Sequence, residues 1–296
     1  MIENMKLVNY IKTKYTKMEI SNWEISDKAS ILISGSRVEG FGNVSSDIDI
    51  YILVDNEEYK KLKEKLNFTD EANTIKYYYE SQRYDCEIWK YEDIKIYLQI
   101  ISEVKKLDTN KFPERLKQDI LKLLHNIKIG IPILGIENYE GFKKGITFDN
   151  LGIYEAFKSI FFEHRFIEDV TGAFSSGDYG TTIIIARELI NICLRGFLAI
   201  NGETNPSDKW LYRKLIKYSK NNKTELFNEY SYFFYEKINL EKNNVRFFMN
   251  RTLQFCKKYN QKILEKFDLK SQEIILKHME YFYPETINFF KGEIKE

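Results

Sequence analysis

The sequence predicts an α+β chain: a small mixed sheet with helices over residues 1–145, then an all-α helical bundle over residues 146–296. Three observations predict it. In the first half, short apolar runs bounded by turn residues alternate with helical patterns. Beyond about residue 146 only "TTIII" reads as a strand, and it continues straight into the helical "ARELINICLRGFLAI". No low-complexity linker and no internal repeat separates the halves.

Each element follows from its own pattern. Val8, Ile11, Tyr15 and Met18 sit at helical spacing, so residues 4–18 predict an opening amphipathic helix. "ASILISGS" predicts a strand entering a tight turn, and "DIDIYILV" a second strand. "EEYKKLKEKL" predicts a charged surface helix. "TIKYYYES" and "RYDCEIWKY" predict two further strands. "EDIKIYLQIISEV" and "PERLKQDILKLLHNI" return to helix, the second with Pro113 in its first turn. In the second half, helices are expected over 149–171, 178–200 with Asp178 as cap, 223–239, 242–266 and 271–282. A further helix is expected to start with Asn205 as cap and Pro206 in its first turn.

Composition bounds the function. At 43% hydrophobic, with 21 Phe and 21 Tyr, the chain can build a substantial core. It carries 45 basic and 44 acidic residues, a net charge of +1, which disfavours nucleic acid as the main partner. Cys86, Cys193 and Cys256 are far apart and have no zinc spacing, so buried thiols in a reducing cytoplasm are expected. No stretch approaches the ~20 apolar residues of a membrane span. The first residues lack the apolar core of a signal peptide.

The chemistry concentrates in "SGSRVEGFGNVSSDIDIY", residues 34–51. Strand side chains alternate faces, so Asp47 and Asp49 point the same way, roughly 6.6 Å apart along the strand. Two like charges beside an apolar run repel, and burial worsens that. Mg²⁺ prefers oxygen ligands, and two such ions about 3.5–4 Å apart clamp a phosphoryl or nucleotidyl transfer. Gly35 lets the backbone approach a ligand closely. Ser36 offers a hydroxyl and an N–H, and a helix beginning there favours phosphate at its N-terminus.

The run "ISGSRVEGFGNVSSDIDIYI" resembles the signature of the DNA polymerase β-like nucleotidyltransferase superfamily: apolar strand, Gly-Ser, spacer, then two aspartates around one apolar residue. The signature covers about 20 residues. The resemblance implies a small mixed sheet and two Mg²⁺ ions that transfer a nucleoside monophosphate from ATP or another NTP. Asp47 and Asp49 then hold metal, and Gly35, Ser36, Arg37 and Ser46 bind nucleotide. It also implies a third acid from a later strand. "RYDCEIWKYEDI" offers Glu87, the first choice because it precedes a helix start as in kanamycin-type nucleotidyltransferases, with Asp85 second. The plan of one such domain followed by helices resembles the kanamycin- and lincosamide-modifying enzymes. In that resemblance a glutamate of the first long C-terminal helix acts as base. Glu163 is the candidate, with His164 or Glu168 as alternatives, and Lys209 with Arg213 can neutralise the triphosphate.

Blander roles stand beside these. Arg37 either touches phosphate or bridges to Glu39. His125 and His164 are structural. The Tyr and Phe residues at 230–235 and 281–290 serve core or interface. The expected enzyme moves a nucleoside monophosphate, AMP first, to a hydroxyl of a small molecule and releases pyrophosphate. A homodimer is compatible with this reading. One alternative sends the nucleotide to a protein, a tRNA or a second nucleotide. Another is a non-catalytic nucleotide-binding or antitoxin-like module.

Overall fold

The computed structural model describes residues 2–107, 112–144 and 147–282. The chain divides into two compact units. The first takes in the residues up to Ile100 and then Leu116–Phe148, and the second takes Ile101–Arg115 and everything from Asp149. The aromatic residues of the 283–290 stretch lie outside the described residues.

Five strands form the sheet of the first unit: β1 (Ser30–Ser34), β2 (Ile48–Val54), β3 (Thr74–Tyr79), β4 (Gln82–Lys90) and β5 (Ile131–Leu134). Their order is β3-β4-β2-β1-β5. Among the described residues β2 and β4 pair in parallel, and the other pairs are antiparallel. Helices α1 (Ile2–Lys14), α2 (Gly35–Val38), α3 (Asn56–Leu66), α4 (Tyr91–Ser102), α5 (Gln118–Ile129) and α6 (Ile136–Lys144) accompany it.

The period-2 pattern decides which face is core. Ile31 and Ile33 of β1, the even residues Ile48 to Val54 of β2, and Tyr84, Cys86 and Ile88 of β4 share one buried cluster. Ile11, Trp23, Tyr59 and Leu62 close that cluster. Asp49 and Tyr51 of β2 therefore point to the opposite face.

Helices α7 (Asp149–Ser175), α8 (Tyr179–Ile200), α9 (Leu211–Asn222), α10 (Leu226–Tyr235), α11 (Lys242–Leu264) and α12 (Leu269–Phe282) build the second unit. The Asp178 side chain accepts a hydrogen bond from the Thr181 backbone and caps α8, as expected. Gly196 lets α7 and α8 approach closely: a Cβ there would stand 1.8 Å from Ser159 Oγ. Cys86, Cys193 and Cys256 are free and buried.

Four expectations need correction. The helix predicted from Pro113 starts only at Gln118, because Lys117 is extended. Leu116 before it is buried in a stretch without regular structure. The helix predicted from Asn205 starts at Leu211. Asn205 instead accepts from the Ser207 backbone as an Asx turn, and its own carbonyl takes the buried Lys214 ammonium. The opening helix stops at Lys14 and continues as two short 3₁₀ turns. Strand β5 was not anticipated. Its "IPIL" contains Pro132, which fits an edge strand because proline donates no ladder hydrogen bond.

Candidate active site

The site grows from the junction of β1 and β2. Ser34 ends β1 opposite Asp49 of β2, and its hydroxyl donates to the Asn126 carbonyl of α5 at 2.6 Å. The chain then turns at Gly35, whose φ is +73°. A Cβ on Gly35 would lie 1.8 Å from Asp49 Oδ2. The turn therefore requires glycine twice, for its backbone angle and for the carboxylate packed against it.

Parallel register brings the second set of acids alongside. Asp49 pairs with Asp85, and Tyr51 pairs with Glu87. Asp47, just before β2, forms an ion pair with Arg83, whose guanidinium also meets Asp85 Oδ1 at 2.9 Å. Burial, then the nearby Asp47, Glu87 and Asp85 charges, push the Asp49 carboxyl up to about 7, while Lys122 of α5 opposes the shift. Negative charge is thus concentrated beyond what Arg83 and Lys122 relieve.

The register separates the two candidate third acids. Asp85 lies directly beside Asp49. Glu87 accepts from Tyr51 Oη at 3.1 Å and from Trp89 Nε1 at 3.0 Å. Tyr51 in turn accepts from Asn126 Nδ2 at 2.6 Å. Both Glu87 oxygens are thus engaged, two register pairs further along the strand, and the Glu87 charge acts on Asp49 together with that of Asp85.

The turn residues divide differently. Ser36 is buried, and its carbonyl accepts from the Phe41 and Gly42 backbones at 2.8 Å each. Arg37 contacts the loop that leads to β2. Its guanidinium donates to the Ser46 carbonyl and to Gln82 Oε1 at 2.6 and 2.8 Å, pinning the loop that leads to Asp47. The Ser46 hydroxyl donates to Asn43 Oδ1 at 3.3 Å and accepts from the Asn43 N–H at 2.9 Å. Glu39 pairs with His125, and both side chains are buried.

Glu163, Lys209 and Arg213 belong to the second unit. Glu163 is wholly buried, takes a hydrogen bond from Asn260 Nδ2, and is pushed far up by burial. It is a neutral core acid here, because an uncompensated carboxylate would be costly inside the helices. Lys209 and Arg213 both lie over the Trp210 ring, 4.9 and 5.5 Å from its centre.

Sequence reasoning missed Arg83 and Lys122. Arg83 was detectable, since it alternates onto the face of Asp85. Lys122 sits on a distant helix and left no local signal. Among the described residues, no three His, Cys, Asp or Glu side chains already converge as a metal cage. No helix among them is long and apolar enough to cross a membrane.

The sequence profile of the nucleotidyltransferase domain family matches residues 17–122, a stretch shorter than half the chain. No curated protein sequence matches significantly. Among solved structures, a nucleotidyltransferase-like protein from Exiguobacterium sibiricum is similar at 10% identity. The match covers 97% of this chain and 91% of that one with a TM-score of 0.40. The matched stretch contains β1 to β4 and all four acids of the site, and it supports nucleotidyl transfer as the general class of activity.

Proposed function

We propose that the protein transfers a nucleoside monophosphate from an NTP, ATP first, to a hydroxyl group of a small molecule. One observation carries the reading: parallel register sets Asp49 beside Asp85, Arg83 pairs with both Asp85 and Asp47, and Gly35 packs against Asp49. These oxygen donors fit Mg²⁺, and the raised Asp49 proton affinity marks a place where added positive charge is stabilising. When bound, such ions neutralise the carboxylates and the charge of the triphosphate. Asp47, Asp49 and Asp85 would hold them. Arg83 supplies part of that positive charge already.

The chain's own residues do the rest. Gly35 and Ser36 present backbone rather than side chain to the phosphates. The acceptor oxygen bonds to the α-phosphorus, the bond to the bridging oxygen breaks, and pyrophosphate leaves with that electron pair. Asp85 takes the hydroxyl proton. Glu87, held by Tyr51 and Trp89, fixes the strand pair behind it. Glu163 has no part, being buried. Aminoglycosides and lincosamides are the first acceptors to try, through the resemblance to enzymes that modify them.

The test is pyrophosphate release from each of the four NTPs with Mg²⁺, against aminoglycosides, lincosamides and a metabolite extract. Acceptor-dependent release that disappears in the Asp47→Ala/Asp49→Ala protein is the expected result. A folded protein that neither releases pyrophosphate nor binds any NTP would overturn the reading.

A further inference from the structure

A cavity of about 240 Å³ in the second unit is walled by α7, by His278 of α12 and by the Phe112–Arg115 segment, and its Lys158 feels the charge of Glu155. At the sheet site another lysine, Lys122 of α5, feels the charge of Asp49.

One side of α5 is bolted to the sheet. Asn126 donates to Tyr51 Oη at 2.6 Å, and its carbonyl accepts from the Ser34 hydroxyl at 2.6 Å. His125 meets Glu39, just after α2, at 3.1 Å, with both side chains buried. A Cβ on Gly130, just past α5, would stand 3.2 Å from the Leu32 side chain of β1. The helix thus holds the end of β1, the turn after it and β2 in one arrangement.

Spacing then fixes where Lys122 stands. It lies four residues before Asn126, about 6 Å along the helix axis, so the two share a face. Asp49 lies two residues before Tyr51, about 6.6 Å along β2, so these share a face too. With Asn126 on Tyr51, a helix running along β2 sets Lys122 beside Asp49. The charges agree: burial and then Asp47 push the Asp49 carboxyl up, and Lys122 pulls it back more strongly than Glu87 or Asp85 pushes. From Leu121 to Ile127 every residue is buried except Lys122, which is exposed. Its ammonium therefore leaves an enclosed helix for open space next to the carboxylate that packs on Gly35.

A lysine ammonium is a compact charge with three donors on a flexible stem, suited to phosphate oxygens. We infer that Lys122 is a nucleotide-binding residue that holds the triphosphate entering at Gly35 and Ser36. This inference rests on the nucleotidyl-transfer reading.

The experiment is calorimetric titration of the full chain, with Mg²⁺, with the α,β-methylene analogue of each NTP, which cannot release pyrophosphate. Mn²⁺ affinity of the nucleotide-free protein is measured beside it. Lys122→Met should bind the analogue at least about tenfold more weakly, as loss of a hydrogen bond between charged groups does, at an unchanged unfolding temperature. Lys122→Arg should stay within about threefold of the wild type, since the charge and its donors remain. Mn²⁺ should bind Lys122→Met at least as tightly as the wild type, because a cation beside Asp49 is gone. A lysine that merely offsets Asp49 gives the opposite sign for nucleotide, since its removal would strengthen both affinities. Equal or tighter analogue binding by Lys122→Met, beside a wild type that binds, would overturn the inference and leave the nucleotidyl-transfer reading standing. A loss that Lys122→Arg shares in full would overturn it as well. A folded wild type that binds none of the four analogues would overturn that reading itself.

Discussion

The sheet face at β2 and β4 and the cavity on α7 are opposites in charge and alike in construction. Each is partly desolvated, and each sets an opposite charge beside its dominant one: Arg83 and Lys122 among the acids, Glu155 beside Lys158. On the sheet, burial and then repulsion raise Asp49 to about 7; on the helix, burial and neighbouring arginines lower Lys158 to about 8. A fold stabilises neither arrangement for its own sake, because like charges held together cost free energy. The comparison teaches that burial is the first cause of both displacements, whichever sign of charge the group carries.

The largest expected effect breaks the acidic half. Asp49→Asn should reduce nucleotidyl transfer by about 10²–10³-fold, as loss of a preorganised charge at a reacting centre does. The same variant should unfold at an equal or higher temperature, since it removes repulsion. A calorimetric scan beside the activity assay separates the two, and a drop in both together would mean that Asp49 is structural.

Next comes the contact between Gly35 and Asp49. Gly35→Ala should cost on the order of 1–3 kcal/mol in urea unfolding, through positive φ and a Cβ overlapping the carboxylate. In an Asp49→Ala background the penalty should shrink, because the overlapping oxygen is gone. Additive penalties would show that the backbone angle alone is responsible.

A comparison of Asp85→Asn with Glu87→Gln sharpens the acidic half. Asp85→Asn should lower turnover at least tenfold more than Glu87→Gln, measured by pyrophosphate release under saturating NTP. The reverse order would restore Glu87 as the third acid.

The smallest effect concerns Glu163. Its folded proton affinity lies above the unfolded value, so its stabilising contribution is full below about pH 4.5 and is lost as pH rises. Glu163→Gln, which cannot ionise, should therefore match the wild type near pH 4 and exceed it in urea midpoint near pH 8. Transfer activity should stay within about twofold. A large loss of activity in a folded Glu163→Gln protein would return the base assignment to this residue.

The acidic half was legible in the sequence because its code is local. Alternation places Asp47 and Asp49 together, Gly35 precedes them by a fixed spacing, and β1 through β4 follow from short apolar runs. The choice between Asp85 and Glu87 was not legible, because strand register is set by pairing with β2 rather than by the sequence of β4. Glu163 shows the opposite failure. One acid on a long helix says nothing about which face is buried until α8 and α11 pack beside it. The cavity face was present in "YEAFKSIFFEHR", yet Phe112 and His278 come from remote segments, so only the fold assembles the cavity.

The division of the chain also bears on protein engineering. The second unit claims Ile101–Arg115, although that stretch precedes α5 and β5 of the first. A hybrid made by grafting residues 149–282 onto another N-terminal half would arrive without Phe112 and Arg115, and with them would go one wall and one cation of the cavity. Exchange of the helical unit thus requires two cut-and-paste segments, and a library that recombines at a single crossover would part that unit from a piece of itself.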